Sequence, residues 1–214
     1  MESQFIKNIY SYQDFIDLDY PESFIKKFNP TQIKKFYPVL FPFKDVDLKN
    51  KKLLDIGCGA GIDIIYALSN GIEIAVGIDI NLDELKFIEK SSCLHKINGN
   101  IETMEFKCKN FFDLVIFNGS FNQIIKKFLV LKKIKTLLKN NGKIIICDIF
   151  WCGENIDERN FYKKIPDSWN LNIGGSLTEE EFLNIAFKVN LKIINFSVKE
   201  TIYPLKIAKA VLEK

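Results

Sequence analysis

The stretch Leu53-Leu54-Asp55-Ile56-Gly57-Cys58-Gly59-Ala60-Gly61 decides how this chain folds. A short apolar run ends in an acidic residue and a glycine-rich turn, and residues 62–68 then carry a helical pattern. Strand, turn and helix in that order form the opening unit of an open α/β sheet, whose ligand crevice lies at the carboxyl ends of the strands. Glycines in the turn let the backbone approach a ligand where a β-carbon would collide. The spacing narrows the ligand. A dinucleotide fingerprint, G-x-G-x-x-G, needs its third glycine at position 62, which is Ile62 here, and no Walker lysine follows.

Outward from that unit, apolar runs alternate with amphipathic ones. Residues 73–78 read as a second strand ended by Asp79, and residues 82–90 as a helix with Leu82, Leu85, Phe87 and Ile88 near one face. A weaker strand spans residues 94–97 and a fourth spans 112–117. A long lysine-edged helix covers 124–138, and Asn141-Gly142 turns the chain into a fifth strand over 143–149. Thr178-Glu179-Glu180-Glu181 is a capping box that opens another helix. Two late strands, 191–199 and 205–212, are separated by Tyr203-Pro204 and predict an antiparallel hairpin at the sheet edge. The expected fold is α/β and Rossmann-like: a doubly wound, seven-stranded, mostly parallel sheet. Residues 1–50, punctuated by Pro21, Pro30, Pro38 and Pro42, form a helical N-terminal cap or lid, and residues 51–214 form the ligand-binding domain.

Composition excludes several classes. No apolar run reaches the roughly 18–20 residues of a membrane span, and the start lacks a basic-then-apolar signal pattern. The protein reads as cytoplasmic, with no membrane partner. The formal charge is +3 and Arg159 is the only arginine, which speaks against nucleic-acid recognition, where arginine's forked geometry dominates. Five cysteines without a C-x-x-C pair indicate neither a disulfide framework nor a metal site. Lys126-Lys127 and Lys132-Lys133 read as a solvated helix face. Oligomeric state is not legible.

The pattern D-x-G-x-G-x-G from Asp55 to Gly61 resembles motif I of class I S-adenosylmethionine-dependent methyltransferases. Asp79 ends the next strand, where a carboxylate can accept hydrogen bonds from both ribose hydroxyls; its other reading is a helix N-cap. Phe112-Asp113-Leu114-Val115-Ile116-Phe117-Asn118 is similar to motif IV. The resemblance implies S-adenosylmethionine as cofactor, held by Asp55, Gly57, Cys58, Gly59, Gly61, Asp79 and Ile80. It also implies an adenine pocket of Asn100, Ile101 and Glu102, with Asn118 near the methionine end and facing the substrate.

A closer resemblance, to arsenite methyltransferases, runs through Tyr20-Pro21-Glu22, Gly59-Ala60-Gly61-Ile62-Asp63, Gly99-Asn100-Ile101-Glu102, residues 118–122 and Ile173-Gly174-Gly175-Ser176-Leu177-Thr178. That family holds trivalent arsenic with cysteine thiolates, one directly after the motif IV asparagine and one just before Ile-Gly-Gly. Here those places are Gly119 and Asn172, which supply no sulfur ligand. The scaffold is expected to transfer and the arsenic chemistry is not.

The expected activity is therefore methyl transfer to a small molecule, a metalloid or specialised metabolite other than arsenite. The alternatives are a catalytically silent methyltransferase-fold scaffold, and a protein or peptide methyltransferase. Tyr20, Asn122, Cys152 and Asn172 are the substrate-side candidates, with a structural role the competing reading for Cys152. No catalytic base is assigned, because His95, the one histidine, starts the third strand away from the crevice. Trp151 and Trp169 read as core packing.

Overall fold

A computed structural model of the chain describes residues 11–214, with Tyr12 described by its backbone alone. The first ten residues of the expected cap lie outside the described residues. Three short helices follow: α1 (Tyr12–Asp17), α2 (Glu22–Ile25) and α3 (Pro30–Ile33). Capping boxes start α1, from Ser11 and Asp14, and α3, from Asn29 and Gln32. The prolines and frequent turns keep each helix to one or two turns.

The core then alternates β1 (Lys52–Ile56), α4 (Ile62–Ser69), β2 (Ile74–Asp79), α5 (Leu82–Phe87), β3 (Leu94–Asn98) and β4 (Phe112–Asn118). A 3₁₀ turn (Phe121–Gln123), α6 (Lys127–Leu137), β5 (Leu138–Trp151), α7 (Ile156–Lys164), α8 (Pro166–Asn170), α9 (Glu179–Lys188), β6 (Lys192–Ile202) and β7 (Leu205–Glu213) complete it. The seven strands lie in one sheet in the order β3-β2-β1-β4-β5-β7-β6. β1 to β5 are parallel, and β7 runs antiparallel to both β5 and β6. The doubly wound sheet with its C-terminal hairpin is thus present as the strand pattern implied.

Successive strand residues point to opposite faces, and the two faces bury different covers. Leu53, Ala75, Leu114, Ile116 and Ile145 pack with α4 and with Phe15, Phe24 and Ile25 of the N-terminal segment. Their neighbours Leu54, Val76, Val115, Phe117 and Ile144 pack with α6 and α9 through Leu131, Ile134 and Phe182. Each fully buried side chain of this size contributes about 1.5–3 kcal/mol. The N-terminal segment therefore shares one hydrophobic cluster with β1 and α4.

Several local expectations are corrected. α5 ends at Phe87, so only Leu85 and Ile88 of the four apolar residues are buried, while Leu82 and Phe87 are exposed. α6 starts at Lys127 because residues 121–123 form the 3₁₀ turn first. α7 and α8 occupy a stretch where no apolar periodicity predicted a helix; α7 buries none of its residues. The lysines of α6 are not simply a solvated face. Lys127 is buried and donates to the carbonyls of Asn122 and Ile124 at 3.1 and 2.6 Å. Lys133 donates to the Ile101 and Met104 carbonyls at 2.7 and 2.6 Å. Among the described residues no helix is long and apolar enough to cross a membrane.

Candidate cofactor and acceptor site

A cavity of about 530 Å³ opens at the carboxyl ends of β1, β2 and β4, the crevice position for an open α/β sheet. Its floor is the turn from β1 to α4, and the three glycines of that turn serve different ends. A β-carbon on Gly57, at φ +73°, would lie 2.4 Å from the Ser120 β-carbon. One on Gly61 would lie 2.6 Å from Ile88 Cδ1, so both positions are closed by packing. Gly59 has nothing within 4 Å of that point and leaves open space at the cavity floor.

Asp79 joins β2 to this turn. One carboxylate oxygen accepts the Gly59 N–H at 2.8 Å, and the other accepts the Asn81 N–H at 2.8 Å. A carboxylate offers about four lone-pair sites, so acceptor capacity remains toward the cavity. The cap of α5 is Asn81, whose side chain accepts from the Asp83 N–H. That assigns elsewhere the capping role left open for Asp79.

Beyond β2 and β3 the wall is Ile80, Asn100, Ile101 and Glu102, which line one side together. Asn100 Oδ1 accepts the Glu102 N–H at 2.8 Å, and Glu102 Oε1 accepts the Lys126 N–H at 2.5 Å. Toward β4 and β5 the wall is Asn118, Gly119, Ser120, Gln123, Ile149, Leu171 and Asn172. Two segments far apart in sequence, residues 35–39 and 170–172, complete the lining, and we call them its roof.

A buried polar network ties roof to floor. The Tyr20 hydroxyl donates to Asp63 Oδ1 at 2.7 Å, and Asn118 Nδ2 donates to Asp63 Oδ2 at 2.8 Å. Asn118 Oδ1 accepts the Val39 and Leu40 N–H groups at 2.9 and 3.3 Å, and Nδ2 also reaches the Leu40 carbonyl at 2.9 Å. Asn118 lines the cavity, yet its amide is consumed in holding the strap of residues 39–40. Burial pushes the Asp63 carboxyl up to about 6, against the pull of its Tyr20 and Asn118 hydrogen bonds.

Asp55 lies beside it, 2% exposed, lining the cavity with no hydrogen-bond partner among the described residues. Burial, and then the charges of Asp63 and Asp79, hold its carboxyl well above the usual range. Burial likewise pushes the Cys58 thiol far up, helped by Asp55 and Asp79, so it stays protonated.

The substrate-side candidates separate. Asn172 lines the cavity. Tyr20 is buried behind it, in the Asp63 network. Asn122 is buried as a brace, donating to the Ile149 and Asn172 carbonyls at 2.6 and 2.7 Å. Cys152 is not among the lining residues; its N–H is spent on the Pro204 carbonyl at 2.8 Å. His95 is exposed on β3 and Trp151 is core. Sequence reasoning missed Lys35, Tyr37, Gln123 and Leu171, which the chain brings to the cavity from irregular segments without a motif. The positions of the two expected family cysteines do come together, since a β-carbon on Gly119 would lie 3.3 Å from Asn172 Nδ2. All five cysteines are free, and only Cys58 lines the cavity.

The residues fit S-adenosylmethionine. Its sulfonium and ammonium groups call for anionic surroundings, and Asp55, Asp63, Asp79, Glu84 and Glu102 all line the cavity. Residues 47–192, more than half of the chain, match the family described as a methyltransferase domain. A ubiquinone biosynthesis O-methyltransferase from Pelagibacter ubique is 32% identical over 134 residues, covering 58% of this chain and 55% of that protein. The chain spans about half the length, or less, of the curated relatives it matches. Among solved structures, an arsenic(III) S-adenosylmethionine methyltransferase from Chlamydomonas reinhardtii superposes with a TM-score of 0.67 at 18% identity, covering 96% of this chain and 73% of that one. A [4+2]-cyclase, SpnF, superposes at 0.64 with 12% identity, covering 78% and 75%. At such identities the likeness concerns the fold. With the glycine turn and the Asp79 contact in place and residues 47–192 matched, the chain belongs to the methyltransferase domain family.

Proposed function

We propose that this chain transfers a methyl group from S-adenosylmethionine to a small-molecule acceptor. The observation that carries the size of the acceptor is the roof: residues 35–39 and 170–172 both line the cavity. A protein or peptide chain would need a groove left open along its length, whereas a small molecule fits a chamber closed from two sides.

In this reading Asp79 holds the ribose hydroxyls. Ile80, Asn100, Ile101 and Glu102 flank the adenine, and the turn from Asp55 to Gly61 carries the methionyl part. The bound cofactor supplies an electrophilic methyl group on a sulfonium. The acceptor lies toward β4 and β5, against Val39, Gly119, Gln123, Leu171 and Asn172. None of these five carries a basic group. Their work is to orient the attacking atom in line with the methyl group and to exclude water, which lowers the entropic part of the barrier. An acceptor that needs no enzyme base fits such a wall best: a soft atom with a free lone pair, or a group already ionised in solution.

Arsenite is a poor candidate despite the related scaffold. Gly119 and Asn172 meet where thiolates would be required, and the one lining thiol, Cys58, is held protonated.

Isothermal titration with S-adenosylmethionine and S-adenosylhomocysteine tests the reading. Micromolar or tighter binding is expected, and Asp79→Ala should weaken it at least tenfold while the circular dichroism spectrum stays unchanged. A folded wild-type protein that binds neither ligand would instead be a scaffold that keeps the fold without its chemistry.

A further inference from the structure

We propose that Lys35 is the counter-ion for the carboxylate of the cofactor's methionyl tail, an assignment that rests on the cavity holding S-adenosylmethionine. The argument begins with a charge inventory. Asp55, Asp63, Asp79, Glu84 and Glu102 line the cavity, and among the described residues Lys35 is the one lining lysine or arginine. Acidic walls suit the sulfonium and the ammonium of the ligand, but they repel its carboxylate. A ligand with two cationic groups and one anionic group needs one cation in such a site, and the chain supplies one.

Lys35 is placed for that role. It follows α3 on the strap that roofs the cavity, between the buried anchors Ile33 and Phe36. Further along, the Asn118 side chain fixes the strap at the Val39 and Leu40 N–H groups. The backbone is thus held at both ends, while the lysine side chain is half-buried.

Its ammonium rests over the Phe87 ring, 4.4 Å from the centroid, and among the described residues it is in no ion pair. Phe87 precedes Ile88, whose side chain closes against Gly61. Lys35 and the turn from Asp55 to Gly61 line the same cavity, so the lysine shares one space with the turn along which the methionyl tail would run. Contact with a ring face is a weak hold, from which the side chain can swing to a carboxylate. The competing role is a partner for Glu84, whose carboxyl feels Lys35 at longer range. A residue serving only Glu84 would not distinguish ligands by their tails.

The test uses two ligands that differ in that tail. S-adenosylhomocysteine carries the amino-acid group and 5′-methylthioadenosine lacks it. Calorimetry on the full chain should show Lys35→Met weakening S-adenosylhomocysteine at least tenfold and leaving 5′-methylthioadenosine within twofold. Lys35→Arg should keep both within about threefold, since it retains the charge. An equal loss for the two ligands, or no loss for S-adenosylhomocysteine, would overturn the assignment. Binding of neither ligand by folded wild-type protein overturns the cofactor reading itself, and the Lys35 role with it.

Discussion

The floor of the cavity and its roof are built by different means. The floor is one contiguous stretch, Asp55 to Gly61, shaped by backbone conformation and closed by local contacts of Gly57 and Gly61. The roof is assembled from residues 35–39 and 170–172, held by side chains distant in sequence: Tyr20, Asp63, Asn118 and Asn122. A backbone-made surface suits a ligand shared across a large family, because any sequence that keeps the glycines keeps the surface. A side-chain-made one can be rewired position by position, as Gly119 and Asn172 illustrate at places where the resemblance to arsenite methyltransferases would put thiols. On the proposed reading, a donor site built from backbone would survive sequence change more readily than an acceptor site built from side chains.

Gly59→Leu should separate floor from fold most sharply. Nothing in the protein stands within 4 Å of the added β-carbon, so the cost in stability is the positive φ alone, about 1 kcal/mol. The side chain would instead fill the space reserved for the ligand. Binding of S-adenosylhomocysteine should fall at least a hundredfold in calorimetry while the thermal midpoint drops by only a few degrees. A protein that kept its affinity would show that the ligand does not cross the turn.

The same contrast explains what could be read from sequence. β1, β2 and β4 were legible because burial on both faces makes them near-continuous apolar runs, and Asp79 because it ends one of them. The glycine turn was legible because its conformation demands particular residues at fixed spacing. Lys35, Tyr37 and Leu171 were not, since irregular segments carry no period and their approach to the cavity depends on tertiary packing. Tyr20 and Asn118 were legible as important positions, but not what they hold. Tyr20 bonds Asp63, and Asn118, which lines the cavity, bonds Asp63 and the strap, through contacts spanning 43 and 78 residues. Lys127 was misread for a related reason. One of a pair of lysines at the start of a helix looks solvated until the loop carbonyls that receive it are known.

A pH titration of stability probes floor and roof together. Asp55 belongs to the floor and Asp63 to the roof; burial raises both, Asp63 to about 6, and Asp148 beneath the roof brace is raised to about 7. The folded state therefore holds protons that the unfolded chain releases near pH 4, so this contribution is complete below about pH 4 and is lost as pH rises through about 6 to 7. Lys127, pushed down to about 8 by burial, acts in the opposite sense, but only above that pH. Urea unfolding of the ligand-free protein should give a higher midpoint at pH 5.5 than at pH 7.5, with Asp63 and Asp148 together contributing on the order of 1–3 kcal/mol of that difference. Saturating S-adenosylmethionine should narrow the gap, because a cation beside Asp55 favours its ionised form. A stability that rises steadily from pH 5.5 to 7.5 would mean these carboxyls are solvated or paired.

Tyr20→Phe tests the roof alone and should have the smallest effect. The ring stays, and with it the edge contact to Phe15 at 5.6 Å and the tilted one to Phe41 at 5.0 Å. Only the hydroxyl is lost, and with it the hydrogen bond it donates to the buried Asp63 carboxylate, worth about 1–3 kcal/mol, and the one it accepts from Asn118 Nδ2 at 3.1 Å. Asp63 retains Asn118 as donor and can take up a proton, which softens the cost toward the lower end of that range. The floor does not depend on this bond, so 5′-methylthioadenosine should bind within about threefold of wild type. The strap does depend on it, through Asn118, so amide exchange at Val39 and Leu40 should quicken in the variant. Unchanged exchange there, with stability lowered, would mean that Asn118 holds the strap without help from Tyr20, and the roof would then hang from a single side chain.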